Sequence, residues 1–143
     1  MIIPDLNLLL YAYDSVSRNH EKAARWWAES LNGREPIGLP TVVLYGFIRL
    51  ATSPKVFNSP MTVQTVGSIV LEWLERPHVV EVDGGRAHLR SSLDLLEAAG
   101  TAGNLVTDAQ IAAIALHHGA TVYTNDVDFS RFRRLRIRNP LRS

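Results

Sequence analysis

The sequence predicts an α/β protein in which a small, mostly parallel sheet lies between helices. Two observations carry this expectation. Short apolar runs suited to strands alternate with helical periods, several longer than ten residues. Aspartates also fall just beyond two of those runs and in the first turn of a late helix, where open parallel sheets place their working residues. A length of 143 residues suits one compact domain and is too short for two ordinary ones, so residues 1–143 are expected to fold as one unit.

The elements follow in order. Met1–Pro4 is an apolar run ending at Asp5, and Leu6–Tyr13 has helical spacing. His20–Leu31 reads as an amphipathic helix with Ala23, Ala24, Trp27 and Leu31 on one side. Asn32–Gly33 closes it with residue types that accept a left-handed turn. Pro36–Leu39 is a short strand, and Thr41–Thr52 a strongly apolar helix with Thr41 as its cap after Pro40. Ser53–Pro60 is a loop with two prolines. Thr62–Glu75 sets Val63, Val66, Val70 and Leu74 in helical register until Pro77 stops it. His78–Val82 is a strand, Arg86–Ala99 a helix ended by Gly100, and Thr101–Asn104 a loop of small residues. Leu105–His118 is an apolar helix ended by Gly119, and Ala120–Thr124 a strand. Asn125–Phe132 is rich in turn residues, and Arg134–Ile137 is a last short strand.

Composition removes several classes of function. Apolar residues at 46% and charged residues at 20% exclude a wholly disordered chain. The absence of cysteine excludes a disulfide scaffold, a thiol nucleophile, zinc–thiolate sites and iron–sulfur sites, and it fits a reducing compartment. The start, MIIPDLN, lacks the basic beginning and the cleavage site of a signal peptide. The uncharged stretch from Pro36 to Arg49 is too short and too broken by glycine and proline to span a bilayer. A soluble, cytoplasmic protein without membrane contact is expected.

The net charge of +1 conceals an asymmetry. All 14 acidic residues precede residue 130, whereas Arg131, Arg133, Arg134, Arg136, Arg138 and Arg142 crowd into the end, 131–143. Guanidinium groups suit phosphate oxygens because they offer two parallel donors. Basic ends also serve simply to solubilise or pair, so the tail alone does not decide for nucleic acid.

The carboxylates say more. Asp5 follows the first strand directly, and Asp126 follows the Ala120–Thr124 strand with Asp128 two residues on. Asp108 opens the Leu105–His118 helix, which must start at the same sheet edge if it is to return to a parallel strand. Asp108 also shares a helix face with Ile111, Ala112 and Ala115, and an inward carboxylate needs a partner. The only lysines are Lys22 and Lys55, neither near it in sequence. A divalent cation is the natural counter-charge, and oxygen-only ligands suit Mg²⁺ or Mn²⁺ rather than zinc. Singly, an aspartate after a strand is more often a turn residue, and one in a first helical turn more often serves the helix dipole. The convergence of three rests on the fold.

Other residues are read more plainly. Trp26, Trp27 and Trp73 sit at helical spacings that suit core or interface positions. His117 and His118 suit a helix C-terminus, while His20 and His88 lack ligand-like spacing. Arg49, amid Leu44, Phe47, Ile48 and Leu50, is expected to reach a carboxylate or a phosphate. No G-x-S-x-G elbow, P-loop or G-x-G-x-x-G occurs.

Three segments carry a family likeness: MIIPDLNLLLYAYD at the start, GNLVTDAQIAAIALHHGATVYTNDVDFSRF, and the ending LRIRNPL. Together they resemble PIN-domain ribonucleases and, more narrowly, the VapC toxins of VapBC toxin–antitoxin pairs. The likeness runs over essentially the whole chain. It implies a PIN-like α/β/α sandwich and a Mg²⁺- or Mn²⁺-dependent endoribonuclease that cuts cellular RNA. By this resemblance the metal-site acids are Asp5, Asp108 and Asp126, with Asp128 a less constant fourth and Thr124 a hydroxyl lining the site. It further implies a homodimer silenced by a VapB-like antitoxin. Many PIN domains carry a glutamate on the helix after the second strand. Here no acid occurs between Glu35 and Glu72, and the position falls near Gly46. Asn7 is a candidate to fill that role, and Arg49 a candidate contact for substrate phosphate.

Two α/β rivals fare worse. A haloacid-dehalogenase-type phosphatase needs D-x-D after strand one and a late lysine; the chain has Asp5-Leu6-Asn7 and no lysine after Lys55. A receiver domain needs the same late lysine. The alternative from another class is a PIN-like module that grips RNA or a partner without cutting.

Overall fold

The computed structural model describes residues 1–142; Ser143, the last residue of the arginine-rich end, lies outside the described residues. Five strands form one sheet: β1 (Ile2–Pro4), β2 (Ile37–Pro40), β3 (Val79–Val82), β4 (Thr121–Tyr123) and β5 (Arg136–Arg138). Their spatial order is β3-β2-β1-β4-β5, and every pairing is parallel. Helices connect them: α1 (Leu6–Tyr13), α2 (His20–Asn32), α3 (Thr41–Ala51), α4 (Val63–Glu75), α5 (Gly85–Ala99) and α6 (Val106–His118). β1 sits centrally with Ile2 opposite Ile37 on one side and Thr121 on the other. Central parallel strands are covered on both faces, which is why Ile3, Ile37, Leu39 and Val122 are all fully buried.

One core runs through the layers. Phe47 of α3 meets Trp73 of α4 at 4.9 Å between ring centroids, and Trp27 of α2 meets Trp73 edge-on at 5.4 Å. The Trp73 indole N–H donates to the Tyr13 hydroxyl at 2.9 Å, which gives a buried polar atom its partner. Trp27 and Trp73 are core residues, as their spacing indicated. Trp26 is the exception, half-buried and stacked on Tyr123 at 5.5 Å with a 20° tilt.

The helix ends correct two expectations. Thr41 is the first residue of α3 and does not cap it; extended Pro40 holds the cap position, with no side-chain cap bond. Gly33 is not left-handed, having φ −86°. True left-handed stops occur at Gly100 (φ 77°) and Gly119 (φ 60°), where a β-carbon would strain the turn. The last strand is shifted to Arg136–Arg138, after Arg134 turns the chain with a positive φ of 68°. Among the described residues, no helix is long and apolar enough to cross a membrane.

Candidate active site

Parallel pairing brings the ends of β1 and β4 side by side, and the first contacts of the site are consequences of that register. The Asp5 backbone N–H donates to the Tyr123 carbonyl at 2.8 Å, extending the β1–β4 ladder by one rung. The next residue of β4's strand, Thr124, then lies against Asp5. Its hydroxyl donates to Asp5 Oδ2 at 2.9 Å and accepts from the Asp126 backbone N–H at 2.9 Å. Asp126 in turn caps the short 3₁₀ turn Val127–Arg131, its Oδ1 accepting from the Asp128 N–H at 2.9 Å. One hydroxyl thereby links two strand ends, and both Asp5 and Thr124 are buried.

Helix α6 supplies the third wall. It must return to the amino end of β4, so it starts at the carboxyl edge of the sheet, and Asp108 sits in its first turn. Ile111, Ala112 and Ala115 anchor that helix in the core while Asp108 stays half-buried at the rim. Carboxylate oxygens of Asp108, Asp126 and Asp128 all lie within 4.8 Å of one another. Asp5 lies near enough for its charge to act on Asp108.

The electrostatics show strain that the protein does not relieve. Burial pushes the Asp5 carboxyl up to about 6 despite the opposing Thr124 hydrogen bond, with the Asp126 charge adding to the rise. Asp108 is pushed up to about 7, first by burial and then by the charges of Asp5, Asp126 and Asp128. None of these four carboxylates has an ion-pair partner among the described residues. The donor set is all oxygen and carries excess negative charge, which fits a hard divalent cation of the Mg²⁺ or Mn²⁺ kind and not a thiolate metal.

The remaining candidates divide. Asn7 lies on the exposed side of α1's first turn and lines, with Tyr11, Asn125 and Asp126, a cleft of about 240 Å³. Arg49 does not join the carboxylates. It stands on the exposed side of α3's last turn, roughly 12 Å along the helix from the carboxyl end of β2, with no ion-pair partner among the described residues. An apolar sequence neighbourhood placed it on the core-facing helix; the helix phase turned it outward. The position near Gly46 is closed by packing: a β-carbon there would stand 2.7 Å from Leu6 Cδ2. His117 and His118 lie exposed at the other end of α6, lining with Asp83 and His88 a separate cleft of about 140 Å³.

Two site residues escaped the sequence reading. Asn139 Nδ2 donates to Asn125 Oδ1 at 2.8 Å, tying the end of β5 to the loop that carries Asp126. Asn139 Oδ1 also accepts from Leu141 N at 3.0 Å in a local turn. The Asn139-Pro140 pair is the signal that marks such a turn. Nothing local marks its partner across the strands.

Comparison with known proteins bears on the fold and the family. Residues 2–135 match the PIN domain family. Ribonuclease VapC33 of Mycobacterium tuberculosis is 42% identical over 142 residues, covering 99% of each chain. Ribonuclease VapC37 of the same organism is 36% identical over 140 residues, covering 98% of this chain and 97% of its own. Among solved structures, Mycobacterium tuberculosis VapC20, a sarcin–ricin loop cleaving toxin, superposes with a TM-score of 0.71 at 16% identity, covering 95% of this chain and 99% of its own. VapBC2 from Rickettsia felis, solved on a DNA fragment from its promoter, gives 0.65 at 21% identity, covering 97% and 98%. At those identities the structures speak for the fold, whereas the full-length sequence matches speak for descent: the chain belongs to the PIN-domain family and, within it, to the VapC ribonucleases.

Proposed function

We propose that this chain is the toxin of a type II toxin–antitoxin system, a metal-dependent endoribonuclease that hydrolyses RNA phosphodiester bonds in the cytoplasm. The observation that carries the reading is the convergence of Asp5, Asp108, Asp126 and Asp128 at one sheet edge with no cationic partner among the described residues.

In this reading Asp5, Asp108 and Asp126, with Asp128 as a less constant fourth, would hold Mg²⁺ or Mn²⁺; the oxygens of Asp108, Asp126 and Asp128 already lie within 4.8 Å of one another, and the charge of Asp5 acts on Asp108. A divalent ion held there supplies charge stabilisation at the phosphoryl group and a more acidic water. The chain's own residues do the rest. Thr124 fixes Asp5 and the backbone of Asp126 through one hydroxyl, so the two acids keep a common orientation. Asn7, on the rim beside Asp126, offers an amide donor to a substrate phosphate. Asp108, its carboxyl raised to about 7, would have to be deprotonated to hold a cation.

Residues 1–143 act as one PIN-type unit, paired as a homodimer and silenced by a VapB-like antitoxin. Support for the antitoxin comes from the VapBC complexes whose toxin chains share this fold. A second reading, an RNA- or partner-binding PIN domain that does not cut, draws on the absence of any acid on the helix that carries Gly46.

The deciding experiment is cleavage of a structured RNA mixture by purified protein in Mg²⁺, in Mn²⁺ and in EDTA, beside Asp108→Asn. Cleavage that needs metal and disappears in the variant supports the nuclease. RNA binding that survives EDTA and Asp108→Asn, without any cleavage, favours the binding module.

A further inference from the structure

Beyond the carboxylates, the end of β5 opens a second and larger depression. A groove of about 540 Å³ lies between α2, the ends of β4 and β5, and the last described residues of the chain. That size is within the ~300–1,000 Å³ of ordinary ligand pockets. Lys22, Arg25, Arg138 and Arg142 line it, against one carboxylate, Glu29. Arg138 and Arg142 make no ion pair among the described residues. Arg25 makes only an exposed contact at 3.4 Å with Glu21, the kind that contributes little.

Two half-buried rings complete the lining, Trp26 and Tyr123, already stacked on each other. Aromatic rings beside guanidinium groups make up the chemistry that holds single-stranded nucleic acid, since every base has a face to stack and every linkage a phosphate. The groove is continuous with the acidic cleft. Asn139 and Arg142 line both this groove and the cleft that contains Thr124 and Asp126, and the Asn139–Asn125 hydrogen bond lies on the boundary between them.

We propose that this groove holds the single-stranded RNA segment next to the bond that is cut. Trp26 and Tyr123 take a base, while Arg25, Arg138 and Arg142 take the flanking phosphates. The inference rests on the ribonuclease reading for the identity of the strand, and it assigns a binding subsite to residues outside the carboxylate cluster. An acidic protein tail is the competing occupant; it accounts for the arginines, whereas a strand of bases also uses the exposed part of the two rings, which otherwise only pack on the core.

The test measures binding apart from cleavage. A fluorescein-labelled 12-nucleotide single-stranded RNA of mixed sequence is titrated with full-length protein in EDTA, read by anisotropy at two salt concentrations. Arg25→Glu and Arg138→Glu are each expected to weaken binding about tenfold and to flatten its salt dependence. Trp26→Ala is expected to weaken it by a similar factor, and Trp26→Phe to restore most of it. Arg25 is exposed, so its variant keeps the proposal testable even if Trp26→Ala unfolds. Unchanged affinity in both Arg25→Glu and Arg138→Glu overturns the proposal, as does a wild-type protein that does not bind the RNA. Displacement of the RNA by a polyglutamate peptide at comparable concentration, with no effect of Trp26→Phe or Trp26→Ala, overturns it in favour of an acidic tail. Failure of the nuclease reading shows separately, as absence of Mg²⁺- or Mn²⁺-dependent cleavage by the wild type.

Discussion

On one side of the Asn139–Asn125 hydrogen bond, four carboxylates gather at one sheet edge with no ion-pair partner among the described residues. On the other side, four cations line a groove with a single carboxylate among them. The two regions stand next to each other and treat a polyanion in opposite ways. Under the proposed function the acidic cleft would repel RNA until a divalent ion neutralised it, whereas the basic groove would attract RNA at any metal concentration. The contrast separates holding from cutting: binding and cleavage are expected to respond to different substitutions and to different conditions.

The largest effect belongs to the acids. Asp108→Asn is expected to reduce metal-dependent cleavage by more than about 100-fold, since even loss of a residue behind a metal ligand costs ~10–100-fold. Affinity for RNA in EDTA should hold or rise, because one repelling charge is gone. A variant that loses binding as much as cleavage would break the division between the two regions. Thr124→Val comes next. It removes the donor to Asp5 and the acceptor for the Asp126 N–H, with an expected ~10–100-fold loss of cleavage and about 1–3 kcal/mol of stability by chemical denaturation.

A third effect separates the regions by pH. Asp5 and Asp108 have folded pKa values near 6 and near 7, both above their ordinary 3.8. The folded state thus binds more protons than the unfolded one between about pH 4 and pH 7, so metal-free protein loses stability as pH rises through that window. For buried Asp5 alone the loss is on the order of 3 kcal/mol. Mg²⁺ should raise the melting temperature strongly at pH 8 and little at pH 5. Equal stabilisation at both values would place the ion outside this cleft.

The smallest effect lies where the cleft has no acid. Gly46→Ala brings a β-carbon against the tip of Leu6, a flexible side chain, while it improves helix propensity by about 1 kcal/mol. Stability is expected to change by no more than about 1 kcal/mol in either direction, measured by urea titration, with cleavage little altered. A large loss of cleavage would give that neighbourhood a role in the site.

Most of the secondary structure was legible before the fold. Thr62–Glu75 announces itself because burial on one face imposes a period on local sequence, whereas the helix before Gly119, buried from Ile111 to Ala115, is legible from its apolar length and its glycine stop. The strands are legible as short apolar runs, and the aspartates follow from the rule that parallel strands deliver ligands at their carboxyl ends. Arg49 shows the limit of the same reasoning. Its apolar neighbours indicate which helix is buried, but the side that this residue faces depends on how α3 lies on α1, where Leu6 fills the space at Gly46.

The sequence by itself determined the order of strands and helices, the identity of the acids and the clustering of arginine at one end. All of these are properties of residue type and spacing along the chain. Only the tertiary structure decided that Thr124 bonds Asp5, that Asn139 bonds Asn125, and that Trp26 stacks on Tyr123 beside Arg138. Each of these pairs joins elements far apart in sequence. What brings them together is the order in which parallel strands associate, an outcome of burying the shared core rather than of any local preference.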